Sequence, residues 1–347
     1  MNEGFFKTVR LAVAILLSLL LAFIIISLVS KNPLRTMGLF LFGPLKNVRY
    51  LGNVIELTIP LIFAGLSTAI LFQANLFNLG AEGIFYFSGL TAAFVAVLVP
   101  IANPFLHVSA AIAAGAVMGM VVALVPGYLR AKWNASELVS SLMMNSILAG
   151  VGLYLLNNVI RDKDLTEIAS LKLAPSALLP RIIPRTRIHL GLVICLCFVA
   201  GVYLFSRRHR IGYLLRMFGF NHRFVEYSGF SSFSMIIIAH LLAGFIAGVG
   251  GSVEVLGMYD RFRWASLPGL GFDGALVAML ARNKPLPVLG SALFLAYIRT
   301  GADIMARQAD VPAEMVSIVQ AVIILLISAD RFLHGLEERR ILKKALA

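Results

Sequence analysis

Three short polar stretches hold the side chains of this chain that could do chemistry. The first is Asn75-Leu76-Phe77-Asn78-Leu79-Gly80-Ala81-Glu82-Gly83, which interrupts an apolar run over residues 54–100. Its amides and carboxyl can hydrogen-bond hydroxyls and the edges of planar rings, and its glycines break the helical pattern. If the run lies in lipid, such groups survive only where protein buries them or a wet cavity meets them. The alternative is a plain turn between two spans, its polar groups among the headgroups. The second stretch is bracketed by Glu254, Asp260 and Asp273, with Arg261, Arg263 and Trp264 between them. For 260–264 an interfacial loop with ion pairs and a headgroup-level Trp is the simpler account. Asp273, beside Gly271 and Gly274 at the edge of an apolar run, reads as structural or cavity-lining. The third stretch, 210–230, mixes Ile211, Tyr213, Leu214, Leu215, Met217 and Phe218 with Arg216, Asn221, His222, Arg223 and Glu226. It is too polar to span and too apolar for a free loop. A short helix on the membrane surface, or one inserted into a partner, accounts for both halves of that composition.

Other chemistries find no footing. No G-x-x-x-x-G-K-[ST] run occurs, so the chain is not expected to hydrolyse nucleotide itself. There is no H-E-x-x-H, no Cys/His cluster and no G-x-S-x-G. His240 lies inside an apolar run and reads as a packed helix residue. Two carboxyls can share a proton only if they meet. Asp260 falls in a basic loop and Phe272 separates Gly271 from Asp273, which speaks against a pair of intramembrane protease aspartates.

The elements that must position these residues follow from composition. Of 347 residues 59% are hydrophobic and 14% charged, against about 45–50% and about 25% in soluble domains. This excludes an ordinary soluble enzyme, a disordered chain and a disulfide-stapled secreted domain. The 29 glycines fit helices packed closely in lipid. The net charge of +13 sits mostly between apolar runs, where it marks one membrane face and meets anionic lipid rather than nucleic acid. Cys195 and Cys197 share one run and read as small apolar fillers.

A span needs about 20 apolar residues. Candidates are 11–30, 54–72, 84–100, 108–129, 138–156, 188–206, 232–256, 271–281, 285–302 and 313–327, the eighth being short for a full crossing. The expectation is an all-α polytopic membrane protein of about ten transmembrane helices. Both termini are expected in the cytoplasm, because the basic loop 207–223 and the basic C-terminal tail are separated by an even number of spans. The spans beginning near 11 and 188, and near 54 and 232, keep nearly the same offset. Each second member leads into a Gly-rich break. Two inverted five-helix halves with interrupted helices are therefore expected, about 1–157 and 188–347, joined by an external loop 158–187. Paired breaks of this kind point to a substrate path.

These residues resemble a known family, the membrane permeases of bacterial ABC importers in the simple-sugar and nucleoside group, nearest to nucleoside permeases. The likeness runs from about residue 32 to about residue 330. It rests on Asn32-Pro33-Leu34, on Thr58-Ile59-Pro60-Leu61 with Gly65-Leu66, and above all on 77–83, which matches the family's F-N-I-G-A-E-G signature. Ile84 stands where a Gln is usual, and Gln73 and Asn75 where Arg and Gly are usual. Gly212, Arg216, Gly219, Asn221, Tyr227 and Gly229 match the family's cytoplasmic loop, and Gly269, Gly271-Phe272-Asp273-Gly274 and Arg282-Asn283-Lys284-Pro285-Leu286 continue the match.

The resemblance implies a single permease domain that forms the path for a small polar substrate. A binding lipoprotein or periplasmic protein would deliver the substrate, and a separate ATPase would drive transport. The chain would bind no cofactor; ATP would be used by the partner. A second permease subunit, the same or different, would complete the path in the bacterial inner membrane. Asn75, Phe77, Asn78, Glu82, Glu254, Phe272 and Asp273 are the expected path residues. Gly212, Arg216, Gly219, Asn221, Arg223, Glu226 and Gly229, within the loop 207–231, would couple to the ATPase. Phe224 and Val225 replace the usual paired alanines, which implies a dedicated ATPase groove. A nucleoside is the expected substrate, with riboflavin or a simple sugar as alternatives. A secondary transporter or an intramembrane enzyme is the more distant reading, and neither would need the coupling-like loop.

Overall fold

A computed structural model of the chain describes residues 17, 19–309, 311–312, 318 and 321–322. Among them are the helices α1 (Leu19–Val29), α2 (Pro33–Phe42), α3 (Val48–Gln73), α4 (Ala81–Leu98), α5 (Pro104–Trp133) and α6 (Glu137–Leu155). These are followed by α7 (Gly191–Arg208), α8 (Arg210–Phe220), α9 (His222–Tyr227), α10 (Ser232–Met258), α11 (Leu270–Leu280) and α12 (Pro285–Gln308). The described residues contain no strand, only the isolated bridges Arg161–Ser170 and Arg181–His189. Among the described residues, seven helices are long and apolar enough to cross a membrane: α3, α4, α5, α6 with its extension to Ile160, α7, α10 and α12. The eighth expected span is the 11-residue α11, about 16 Å long and so about half a bilayer core. The tenth expected span falls largely outside the described residues. Stretch 210–230, expected as one surface helix, forms two.

The chain divides into two compact units, one of Gly52–Ala296 and one of the segments on either side. In the flanking unit the Tyr297 hydroxyl donates to the Leu41 carbonyl, and Gln308 Nε2 donates to the Tyr50 hydroxyl at 2.7 Å.

The core of the larger unit is a seam between α5 and α10. Ala111, Gly115, Gly119, Ala123 and Gly127 recur every fourth residue along α5, and His240, Gly244, Gly248 and Ser252 do so along α10. That spacing makes one ridge on each helix, and small residues let the backbones touch. A Cβ on Gly248 would lie 2.6 Å from the Gly115 carbonyl oxygen, and one on Gly127 would lie 2.8 Å from the His240 ring. The Ser67 hydroxyl of α3 donates to the Ala243 carbonyl at 2.8 Å, tying a third helix to the seam.

Segment 161–190 has little regular structure and is held by its backbone. Ser170 N–H donates to Phe262 O (2.9 Å), Leu173 N–H to Asp260 O (2.9 Å) and Leu179 N–H to Leu256 O (2.9 Å). Arg261 pairs with Asp162 and also donates to the Ser170 carbonyl at 3.0 Å. Arg263 pairs with Asp260 at 3.1 Å. The Arg261 guanidinium and the Asp164 N–H hold the Asp162 carboxyl below its ordinary value of 3.8.

Two outcomes follow. Gly248→Leu should abolish recovery of monodisperse protein, whereas Gly150→Leu, with nothing within 4 Å of its Cβ position, should leave it intact by size-exclusion chromatography. The Arg261–Asp162 pair persists above the ordinary carboxylate value and is lost only as pH falls through the lowered one. Protease cleavage within 161–190 should therefore be flat from about pH 7 to about pH 4 in the parent chain. It should be faster throughout that range in Arg261→Gln.

Candidate functional site

The first break is a built structure. Helix α3 ends at Gln73, Asn75 takes a left-handed φ of 56°, and the backbone has no regular structure until α4 begins at Ala81. Several of its polar groups are held by identifiable partners. Leu76 N–H donates to Leu71 O at 2.9 Å. Leu79 N–H donates to the Ser141 hydroxyl at 3.2 Å, and the Leu79 carbonyl accepts from Asn145 Nδ2 at 3.0 Å. Gly80 N–H donates to Asn78 Oδ1 at 2.6 Å, and Gly83 N–H to Asn145 Oδ1 at 2.9 Å. Asn78 Nδ2 lies 3.1 Å from His240 Nε2, and His240 Nδ1 lies 2.9 Å from the Ile236 carbonyl. A carbonyl can only accept, so the His240 proton sits on Nδ1 and Nε2 accepts from Asn78. His240 stands eight residues inside α10, about 12 Å from its Ser232 end. The first break therefore contacts α10 well inside that helix rather than at its first residue.

The second break, between α10 and α11, meets the first through Glu82. This residue is fully buried in the first turn of α4. Its carboxylate accepts from Gly269 N–H (2.5 Å), Gly271 N–H (2.6 Å) and Phe272 N–H (3.4 Å). These are the unpaired donors at the start of α11, where the helix dipole favours negative charge. Gly269 opens α11 with φ +80°. At Gly271 an added Cβ would run into the Glu82 backbone. Asp273 adds a second buried carboxyl to the same helix turn.

Helices α8 and α9 form the third element. An added Cβ would strike the Phe205 carbonyl at Gly212 and the Gln73 carbonyl at Gly219, so α8 rests directly on α7 and on the end of α3. Asn221 divides the helices and caps α9, accepting from Phe224 N–H at 3.3 Å. Gly229, at φ +85°, ends α9, with Phe230 N–H returning to Val225 O at 3.2 Å. Leu214, Leu215 and Val225 are buried in one cluster with Leu71, Leu76 and Met235. On the other face Phe220 is 85% and Tyr227 91% exposed. Arg223 and Glu226 are exposed as well, and the Ser232 hydroxyl donates to Glu226 at 2.5 Å.

The expected path residues thus fall into two sets. Asn75, Phe77 and Phe272 are exposed, and Phe77 stacks on Phe72 with ring centroids 5.0 Å apart. Asn78 and Glu82 are buried and hydrogen-bonded to protein groups. Glu254 is buried in α10, and Glu56 of α3, a residue the sequence reading passed over, lies near enough to interact with it electrostatically. Ser141, Asn145 and the pairing of His240 were also passed over. Ser141 and Asn145 stand beside Ser140 and Ser146 in an otherwise apolar run; the amide-bearing break itself, which needs partners, is the signal that could have found them. Glu82→Ala should lower thermal stability by about 1–2 kcal/mol through loss of the α11 cap, read as a fall in Tm of the solubilised protein, with Glu82→Gln intermediate.

Comparison with known proteins places this geometry. A profile of the family described as "Branched-chain amino acid transport system / permease component" matches residues 50–328. The chain is 32% identical over 302 residues to the guanosine ABC transporter permease protein NupP of Bacillus subtilis (strain 168), covering 84% of this chain and 86% of that protein. It is 30% identical to the glucose ABC transporter permease protein TsgB13 of Haloferax volcanii, covering 88% and 84%. It is 27% identical to the nucleoside ABC transporter permease protein NupB of Lactococcus lactis subsp. cremoris, covering 94% and 92%. Among solved structures, PsaBC from Streptococcus pneumoniae in complex with Fab shares the fold, with a TM-score of 0.51 at 13% identity over 85% of this chain and 98% of that one. The helical permease built around two joined breaks therefore belongs to the family of branched-chain amino acid transport system permease components.

Proposed function

We propose that the chain is the transmembrane subunit of an ATP-binding-cassette importer whose cargo is a nucleoside. The observation that carries the coupling part is the α8–α9 pair. Its underside is locked into the core by Gly212, Gly219 and Val225, while its upper face leaves Phe220, Phe224 and Tyr227 exposed. Exposed aromatics on a rigid amphipathic element suit a partner's groove, and this one would belong to the ATPase. Arg216, Asn221, Arg223, Glu226 and Gly229 would orient and terminate that element. The ATPase would bind the ATP, and this chain would hold no cofactor. The partners are that ATPase, a substrate-binding protein on the opposite side, and a second permease subunit.

Two of the named relatives carry guanosine or nucleoside in their names, which favours a nucleoside over the glucose of the third. Exposed Phe77 and Phe272 offer flat apolar surface to a base, and Asn75 offers an amide to its edge or to a ribose hydroxyl. Asp273 and Glu254 are proposed to shape the path from behind. The remaining architecture is proposed to be ten spans in two inverted halves, about 1–157 and 188–347, with both termini and loop 207–231 in the cytoplasm of a bacterial cell. Riboflavin is the second reading, because it joins a polyol to a flat ring system.

In proteoliposomes holding the assembled transporter, Phe220→Ala with Tyr227→Ala should cut ATPase stimulation and uptake at least about tenfold, with the permease still inserted. Unchanged stimulation removes the coupling assignment. In the parent transporter, excess unlabelled guanosine should compete with nucleoside uptake while glucose and riboflavin should not. Competition by either of those alone reassigns the cargo.

A further inference from the structure

Two spanning helices, α7 and α10, leave a groove of about 360 Å³ between them. It is lined by Cys197, Gly201 and Phe205 of α7 and by Leu242, Phe245 and Ile246 of α10. Apart from the Cys197 thiol, no lining side chain carries a polar group. Cys197 and Phe245 are exposed, so the groove is open along its length rather than sealed. Gly201 supplies a notch in its wall, because nothing lies within 4 Å of the place its Cβ would take. Rings stiffen the wall: Phe198 stacks on Phe245 with centroids 5.8 Å apart and meets Phe63 edge-on at 5.3 Å. Protein covers little of this helix, for 28% of the apolar stretch of α7 is buried against 89% for α3. None of these side chains takes part in the proposed cargo contact or ATPase docking.

Length and depth decide what lies in it. Arg208 is the last residue of α7 and is exposed, at the point where a spanning helix meets the headgroup layer. Cys197 stands eleven residues before it, which is about 16 Å of helix. The hydrocarbon core of a bilayer is about 30 Å thick, so the groove runs from the headgroups to the bilayer middle and no further. That is the reach of one acyl chain in one leaflet. A partner's spanning helix would instead need a seam along the whole of α7. Eleven residues are also three helical turns, so Arg208 projects from the same face of α7 as Cys197 and Gly201. A cationic side chain at the mouth of an apolar groove matches a phosphate at the head of a hydrocarbon chain. We infer that this groove holds one straight acyl chain of a membrane phospholipid, with the lipid's phosphate at Arg208. Every phospholipid carries that phosphate, so the shape of the chain sets the preference, through close packing against the notch and rings.

The test uses the full chain, reconstituted in dioleoylphosphatidylcholine with a trace of phosphatidylcholine that carries a diazirine at mid-chain. Cross-linked peptides are mapped by mass spectrometry, and lipid retained after transfer to a neutral detergent is counted by native mass spectrometry. The parent should retain one lipid, with label concentrated on residues 197–205 and 242–246. Gly201→Leu fills the notch and should cut both readings about tenfold, within the range for overfilling a packed site. Its new side chain starts in open space, so the variant should stay monodisperse. Gly150→Leu, equally open on α6, should change neither reading. Diphytanoylphosphatidylcholine keeps the headgroup but branches the chains, and should also be retained about tenfold less. Arg208→Gln should weaken retention about fivefold, and Arg208→Lys should restore it. Label spread evenly over the exposed helices, or unchanged by Gly201→Leu, overturns the site. Equal retention of the branched lipid overturns the chain as its ligand, and full retention by Arg208→Gln overturns the place of the phosphate. Oxidative cross-linking of Cys197 to Cys197 of a second copy puts a permease subunit in the groove and overturns the lipid.

Discussion

The contact between the Glu82 carboxylate and the N-terminus of α11 is the constraint on which the rest of the larger unit depends. A helix that starts inside the bundle exposes unpaired N–H groups where water is scarce, and each costs several kcal/mol if left bare. A carboxylate in the same place would be equally costly alone. Placed together they cancel, and only together can the chain leave helical geometry at two points between its spans. The price is steric: Gly271 must lie against the Glu82 backbone, so glycine there is fixed by contact rather than by flexibility.

The second requirement is a frame stiff enough to hold that contact. It comes from the seam of α5 and α10, where backbone meets backbone at Gly119, Gly244 and Gly248. In lipid the hydrophobic effect gives helices no reason to associate, so close van der Waals packing must supply the attraction. The same seam delivers His240 to Asn78, which links the frame to the first break by a hydrogen bond of one possible polarity. Packing and polar satisfaction are thus two consequences of one four-residue spacing.

Much of this was legible in the residues. The spans announced themselves by length and hydropathy, α11 by being too short, and the first break by amides and glycines amid apolar residues. What lay hidden was partnership across long separations. Nothing local shows that the hydrogen-bond partners of Glu82 lie 187 to 190 residues onward. Ser141 and Asn145 were passed over for a related reason: next to Ser140 and Ser146, nothing local shows which polar side chain of each pair meets a distant segment. The two-helix form of 210–230 was also missed, because its composition reported amphipathicity but not the direction change at Asn221.

One detail of α8 has mechanical weight. Where Gly219 meets the Gln73 carbonyl, peptide backbone presses on peptide backbone, without the compliant methylenes that usually cushion neighbouring helices. A cushion of side chains can absorb a small displacement by changing rotamers; bare main chain cannot. Two residues past that bearing point, the chain turns through Asn75 into the interrupted segment. A shove of even an ångström delivered to the outer helix would arrive undamped at the place where the long helix comes apart, as a crank without play turns its shaft.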